Sequence, residues 1–232
     1  MTVAIVLAGG LGTRLRGAVP DLPKPMAPIN GRPFLEHQFD YWIAQGVDRF
    51  IVSVGYRREA ITGHFGSRYR GVPVHYAVEE TPLGTGGGLL LAVAQLTGTE
   101  PVLVLNGDTY FEVSLPALAR FHAATGSDWT FTLFRAEEAG RYMGMDIAPD
   151  GRVQSLRSGT GTPGRLANGG AYLVSPECLR GGWEAGSKLS LEDDLLPALF
   201  IRARLFGLEC AGRFIDIGVP HDYERAGQLL AA

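Results

Sequence analysis

The residues most able to do chemistry lie near the amino end. Leu7-Ala8-Gly9-Gly10-Leu11-Gly12-Thr13-Arg14-Leu15 sets three glycines directly before a cation. Glycines in a turn let backbone N–H groups approach a phosphate or a base edge without interference from Cβ. The run is not a dinucleotide fingerprint, because Leu15 stands where the third glycine belongs, and no Gly-Lys-Ser/Thr follows to make a Walker loop. Lys24 comes next, between Pro23 and Pro25. Proline fixes its own φ and restricts the residue before it, so this loop holds the ammonium in place as a point charge. The chain carries 19 Arg but only two Lys, Lys24 and Lys188, so each lysine stands out. Two acids complete the set. Asp108 closes Asn106-Gly107-Asp108 after an apolar run, and Asp216 interrupts the apolar Phe214-Ile215-Asp216-Ile217. An acid in an apolar strand needs a partner. Taken singly, each feature also has a plain structural reading: a tight turn, a surface lysine, a turn-forming Asp, a structural salt bridge.

The elements that must position these groups alternate. Val3–Leu7 is continuously apolar and reads as a strand buried on both faces of a parallel sheet. Leu35, Phe39, Trp42 and Ile43 recur at helical spacing, with Gly46 placed for a C-cap. Strands are expected at 50–54, 74–78 and 102–105. Helices are expected through Ile61, over 86–96 and over 115–123. This alternation predicts an α/β fold with a doubly wound, mostly parallel, Rossmann-like sheet. Beyond residue 125 the pattern changes. Strands are expected at 129–134, 144–148, 153–156 and 170–174, with Asp150-Gly151 as a hairpin turn. The segment 158–164 reads as a loop. A helix opens at Ser190, and a late strand at 214–217 precedes a C-terminal helix. We expect one domain over 1–232, with a nucleotide-binding half (about 1–125) and a mixed-sheet half (about 126–232) that builds the other wall of one cleft and to which the family resemblance given below assigns the sugar.

Composition narrows the class. With 232 residues, 46% apolar and 19% charged, the chain is an ordinary globular sequence. A net charge of −3 argues against a nucleic-acid surface. Two cysteines, Cys178 and Cys210, make neither a disulfide framework nor a zinc site. No apolar run reaches the ~18 residues of a membrane span, and no leader pattern opens the chain, so a cytoplasmic enzyme without membrane association is expected.

Thr13-Arg14 after the glycines, followed by Pro23-Lys24-Pro25-Met26, resembles the signature of the sugar-1-phosphate nucleotidyltransferases. The resemblance runs from Val3 to about Tyr223. Within that family, Gly12–Glu36 and Glu80-Thr81-Pro82-Leu83-Gly84-Thr85-Gly86-Gly87 are most similar to the D-glycero-D-manno-heptose 1-phosphate guanylyltransferases. The resemblance implies attack of a sugar-phosphate oxygen on the α-phosphorus of an NTP, with release of pyrophosphate. It implies Arg14 and Lys24 as catalytic cations and Asp108 and Asp216 as ligands of Mg²⁺. It places the nucleotide against Leu7, Ala8, Gly9, Gly10, Gly12, Thr13, Pro82, Gly84, Thr85 and Asn106, and the sugar against Asn168, Gly169 and Glu192. Glu79 is the candidate reader of the base. A carboxylate accepts only, which suits the adjacent N1–H and N2–H₂ donors of guanine. Ser190 also reads as an N-cap, in which case Glu192 and Asp193 only favour the helix dipole. Some relatives carry Lys after this glutamate to hold the sugar phosphate. Here it is Asp193, so either another basic group such as Arg213 or Lys188 does that job, or binding of the sugar phosphate relies more on Mg²⁺ and Lys24. GTP and heptose 1-phosphate are the expected partners. Uridylyl transfer to N-acetylmuramic acid 1-phosphate or a hexose 1-phosphate, and a non-catalytic nucleotide-sugar sensor, are the alternatives.

Overall fold

A computed structural model describes residues 2–10, 12, 15, 17, 19–136, 141–157, 164–184 and 186–231. Thr13, Arg14 and most of the 158–164 loop lie outside the described residues. In chain order the first half contains β1 (Val3–Leu7), β2 (Pro28–Ile29), β3 (Arg32–Pro33), α1 (Phe34–Ala44), β4 (Arg49–Val54), α2 (Arg58–Phe65), β5 (Arg68–Tyr69), β6 (Val72–Val78), α3 (Gly84–Val93), β7 (Val102–Asn106), β8 (Thr109–Phe111) and α4 (Leu115–Thr125). The second contains β9 (Trp129–Arg135), β10 (Gly144–Ile147), β11 (Val153–Arg157), β12 (Leu166–Val174), a π turn at Leu191–Leu195, α5 (Leu196–Arg202), β13 (Leu205–Glu209), β14 (Phe214–Asp216) and α6 (Pro220–Leu229).

β7, β1, β4 and β6 lie side by side and parallel. Their side chains alternate between two cores. Ala4, Val6, Val52, Leu103 and Leu105 face one, with α1, α2 and the start of α4. Val3, Ile5, Ile51, Val102 and Val104 face the other, with α3 and α5. A period of two under helices on both sides explains why these strands read as unbroken apolar runs. The expected doubly wound sheet is therefore present.

The second half continues the same sheet. β12 pairs antiparallel with β7, and β9, β10, β11 and β13 extend from it. Asp150-Gly151 turns β10 into β11 as expected, with Gly151 at φ 87°. The late strand departs from the expectation: β14 covers only Phe214–Asp216 and pairs with β8 in a separate two-stranded ribbon. That ribbon places the segments bearing Asp108 and Asp216 side by side. Ile217 N–H donates to the Asp108 carbonyl at 2.9 Å. β13, β8 and β5 were not anticipated. β8 and β5 have only three and two residues, and β13 carries Gly207 in its middle. Among the described residues, no helix is long and apolar enough to cross a membrane.

Candidate active site

Ligand sites in open α/β sheets lie beyond the carboxyl ends of the parallel strands. A cleft of about 670 Å³ opens there, after β1, β4 and β7, and is closed on its far side by β12 and the π turn. Every expected site residue within the described part lines it: Leu7, Ala8, Gly9, Gly10, Gly12, Lys24, Glu79, Pro82, Gly84, Thr85, Asn106, Asp108, Asn168, Gly169, Glu192 and Asp216.

The centre of the cleft is charged. Lys24 Nζ donates to Asp108 Oδ2 at 2.8 Å, with the lysine side chain only 13% exposed. Gly12, at φ 61°, lets the loop pass the lysine stem; a Cβ there would stand 2.9 Å from Lys24 Cγ. Asp108 rides on the β7–β8 turn. The buried Gln38 of α1 braces that turn by donating to the carbonyls of Asn106 (2.8 Å) and Thr109. Asp216 is largely buried. Desolvation, and then the charge of Asp108, push its carboxyl up to about 6, against a weaker opposing pull from the Gly218 N–H. Two acids crowded in this way favour a divalent cation. No cluster of three or more Asp, Glu, His or Cys suited to a metal occurs among the described residues. A pair of carboxylates is nonetheless the size of donor set that Mg²⁺ takes, its other positions being filled by phosphate and water oxygens.

On one side of this centre stands Glu79, only 8% exposed. Ser53 Oγ donates to its Oε1 at 2.9 Å and Leu83 N–H to its Oε2 at 3.0 Å. Gly9 and Gly88 leave room for the carboxylate, since a Cβ on either would collide with it. Glu79 is therefore held rigidly, and it tethers the loop that follows it.

On the other side, β12 changes register between Asn168 and Tyr172. Gly170, at φ 69°, makes the irregularity possible and packs against the Asn106 side chain. Asn168 Oδ1 accepts from Gly170 N–H at 3.1 Å, and its Nδ2 donates to the buried Tyr172 hydroxyl at 2.8 Å. Ser190 does cap the following turn, accepting from Asp193 N–H at 3.0 Å. Glu192 nonetheless reaches the cleft, so the cap and the site coexist. The turn is a π turn, a geometry frequent at functional sites. Burial raises the Glu192 carboxyl, opposed in part by the Thr85 hydroxyl.

Arg213 does not serve the cleft. It binds Glu112 and the Leu229 carbonyl instead, held at 2.9 Å and 2.7 Å through Nε and Nη1. Lys188 does line the cleft. So does Arg141, which the sequence did not single out. It donates to the Asp216 carbonyl at 3.1 Å and pairs with the buried Asp222 of α6. Ser53, Tyr142, Met143 and Phe214 were also missed. Ser53 had a signal, a hydroxyl interrupting a doubly buried strand. The others had none.

The family model described as nucleotidyl transferase matches residues 3–230. The chain is 41% identical over 231 residues to a D-glycero-alpha-D-manno-heptose 1-phosphate guanylyltransferase of Aneurinibacillus thermoaerophilus, covering 98% of this chain and 97% of that one. The corresponding protein of Campylobacter jejuni is 36% identical, with 95% and 96% covered. HddC from Yersinia pseudotuberculosis superimposes with a TM-score of 0.86 at 32% identity, covering 98% of this chain and 99% of that one, and has been crystallised in complex with GMP-PN.

Proposed function

Because the chain belongs to the nucleotidyl transferase family and is a sugar-1-phosphate nucleotidyltransferase, we propose that it transfers a guanylyl group from GTP to D-glycero-α-D-manno-heptose 1-phosphate. The supporting observation is that one cleft collects the glycine loop, Glu79, the Lys24–Asp108 pair, Asp216, Asn168 and Glu192. These are the kinds of group that a base, a chain of phosphates and a sugar call for.

In this reading the glycine loop approaches the triphosphate with its backbone, and Glu79 accepts from the two guanine donors. Asn168 and Glu192 hold sugar hydroxyls, which keeps the sugar phosphate directed at the α-phosphorus. The attacking oxygen forms its bond to that phosphorus as the α–β bridging bond breaks, and the electron pair leaves on pyrophosphate. No protein bond forms, so the residues act by positioning and by neutralising charge. Lys24 supplies a positive charge at the phosphates. Arg14, outside the described residues, carries the same expectation from the family signature. Asp108 and Asp216 would hold Mg²⁺, which supplies charge neutralisation at the phosphate oxygens when bound.

The test is a matrix of nucleoside triphosphates against sugar 1-phosphates, scored by pyrophosphate release with and without Mg²⁺. GTP with heptose 1-phosphate and Mg²⁺ is the expected best combination. A higher kcat/KM with UTP, or with a hexose or N-acetylmuramic acid 1-phosphate, overturns the substrate reading.

A further inference from the structure

Thr85 lies three residues after Pro82, in the first turn of α3, yet its hydroxyl serves the segment that carries Glu192. It accepts from Leu191 N–H at 2.8 Å and donates to Glu192 Oε2 at 3.3 Å. A hydroxyl has one proton and two lone pairs. With Leu191 N–H occupying the acceptor side, the proton is directed to the carboxylate. The contact is also built from beneath. Gly86 and Gly87 N–H both donate to the Leu189 carbonyl, at 2.9 Å and 3.2 Å, and Leu189 N–H donates to the Leu83 carbonyl at 2.8 Å. The glycine face of α3 is what permits this seat: a Cβ on Gly87 would stand 2.6 Å from the Ser187 carbonyl oxygen, and one on Gly84 2.5 Å from that of Leu189. The first turn of α3 is thus joined at several points to the segment that presents Glu192.

We propose that Thr85 is a positioning residue for the sugar subsite, fixing the carboxylate of Glu192 rather than touching the nucleotide. The inference rests on the reading of Glu192 as the acceptor of a sugar hydroxyl. It extends that reading by making the base-side helix the support of the sugar-side acid. Glu79 is tied to Leu83 N–H, and the Leu83 carbonyl to Leu189, so the anchors of the two subsites meet in one short stretch of chain.

The experiment uses steady-state kinetics of the full chain with the NTP and sugar 1-phosphate that the matrix above identifies. Thr85→Val removes the hydroxyl at nearly constant shape, Thr85→Ser keeps it, and Glu192→Gln tests the underlying reading. Thr85→Val is expected to raise KM for the sugar 1-phosphate about tenfold, the effect of losing one hydrogen bond to a charged acceptor. KM for the NTP should stay within about twofold, and Thr85→Ser should restore the parent value. Thr85→Ala replaces the valine variant if that one does not fold, with nucleotide binding by calorimetry as the check on folding. An unchanged KM for the sugar phosphate in the hydroxyl-free variant, with Glu192→Gln impaired, overturns the role of Thr85 alone. A rise confined to the KM of the NTP assigns Thr85 to the nucleotide and overturns it too. A Glu192→Gln variant that behaves like the parent removes the sugar reading, and this inference falls with it.

Discussion

At the residue scale, the cleft divides its charges by role. Asp108→Asn and Asp216→Asn each delete a carboxylate charge while keeping the side-chain shape. Both should abolish most pyrophosphate release and leave the thermal melt cooperative; a variant with parental turnover at saturating Mg²⁺ rules out metal ligation by that residue. Lys24→Met should lower kcat more than nucleotide affinity, because the charge it balances grows during transfer. A lost stabilising donor of this kind costs about 2.7–4 kcal/mol, or ~10²–10³ in kcat; a change confined to KM marks ordinary ground-state binding. Glu79→Gln is the sharpest test of base choice. The amide oxygen can still accept from Leu83 N–H, and the Ser53 hydroxyl can turn to accept from the new NH₂, so the loop tether survives. The ratio of kcat/KM for GTP over UTP should then fall at least about tenfold. If it does not, backbone groups read the base. Much of this residue set was legible in the sequence, because glycine turns, a proline-flanked lysine and acids at strand ends are local patterns. Arg141 was not. Its place in the cleft depends on Asp222 and Asp216, both distant in sequence, and nothing in its own neighbourhood announces them.

At the element scale, the glycines of two helices behave oppositely. Gly63 lies inside α2 with open space where a Cβ would project. Gly63→Ala should therefore stabilise the protein by about 0.5–1 kcal/mol, read as a raised midpoint in urea with an unchanged slope. Gly87→Ala would drive a Cβ against the chain at Ser187, and should impair sugar-phosphate binding in the same titration series that leaves Gly63→Ala unaffected. His122 offers a pH test. It joins α4 to Thr130 of β9 at 2.8 Å and to Ser175 at 3.2 Å, and burial lowers its pKa below the usual 6.5. The unfolded chain then binds the proton more readily than the fold does. Its contribution to stability is complete above about pH 6.5 and is lost as the pH falls toward the folded value. His122→Asn should flatten the decline of Tm between about pH 7 and 5; an equal slope in both proteins dismisses the histidine as a source of it. The helices and the doubly buried strands could be read from periodicity. The π turn could not, because Ser190 with Glu192 and Asp193 is equally a sound opening for an ordinary helix.

At the scale of the whole molecule, one sheet carries residues of both halves to the same cleft. β12 runs antiparallel against β7, so the strand that carries Asn168 is hydrogen-bonded to the one that delivers Asn106 and Asp108. Hinge opening between the two halves would have to break that ladder, which favours a largely preformed cleft. The β8–β14 ribbon has a consequence of another kind. Asp108 belongs to the first half and Asp216 to the stretch before α6, and this short pairing, with the Ile217 N–H bond to the Asp108 carbonyl, brings them together. During synthesis the ribosome delivers the glycine loop, Lys24, Asp108 and the parallel strands long before Asp216 emerges. A nascent chain therefore holds the glycine loop, Lys24 and Asp108 while the pair of acids is still incomplete. The order of translation makes the second carboxylate the last piece of the centre to arrive, so, on the function proposed above, a chain cut short ahead of residue 214 keeps the glycine loop and Lys24 but lacks one of the two acids that would hold the metal.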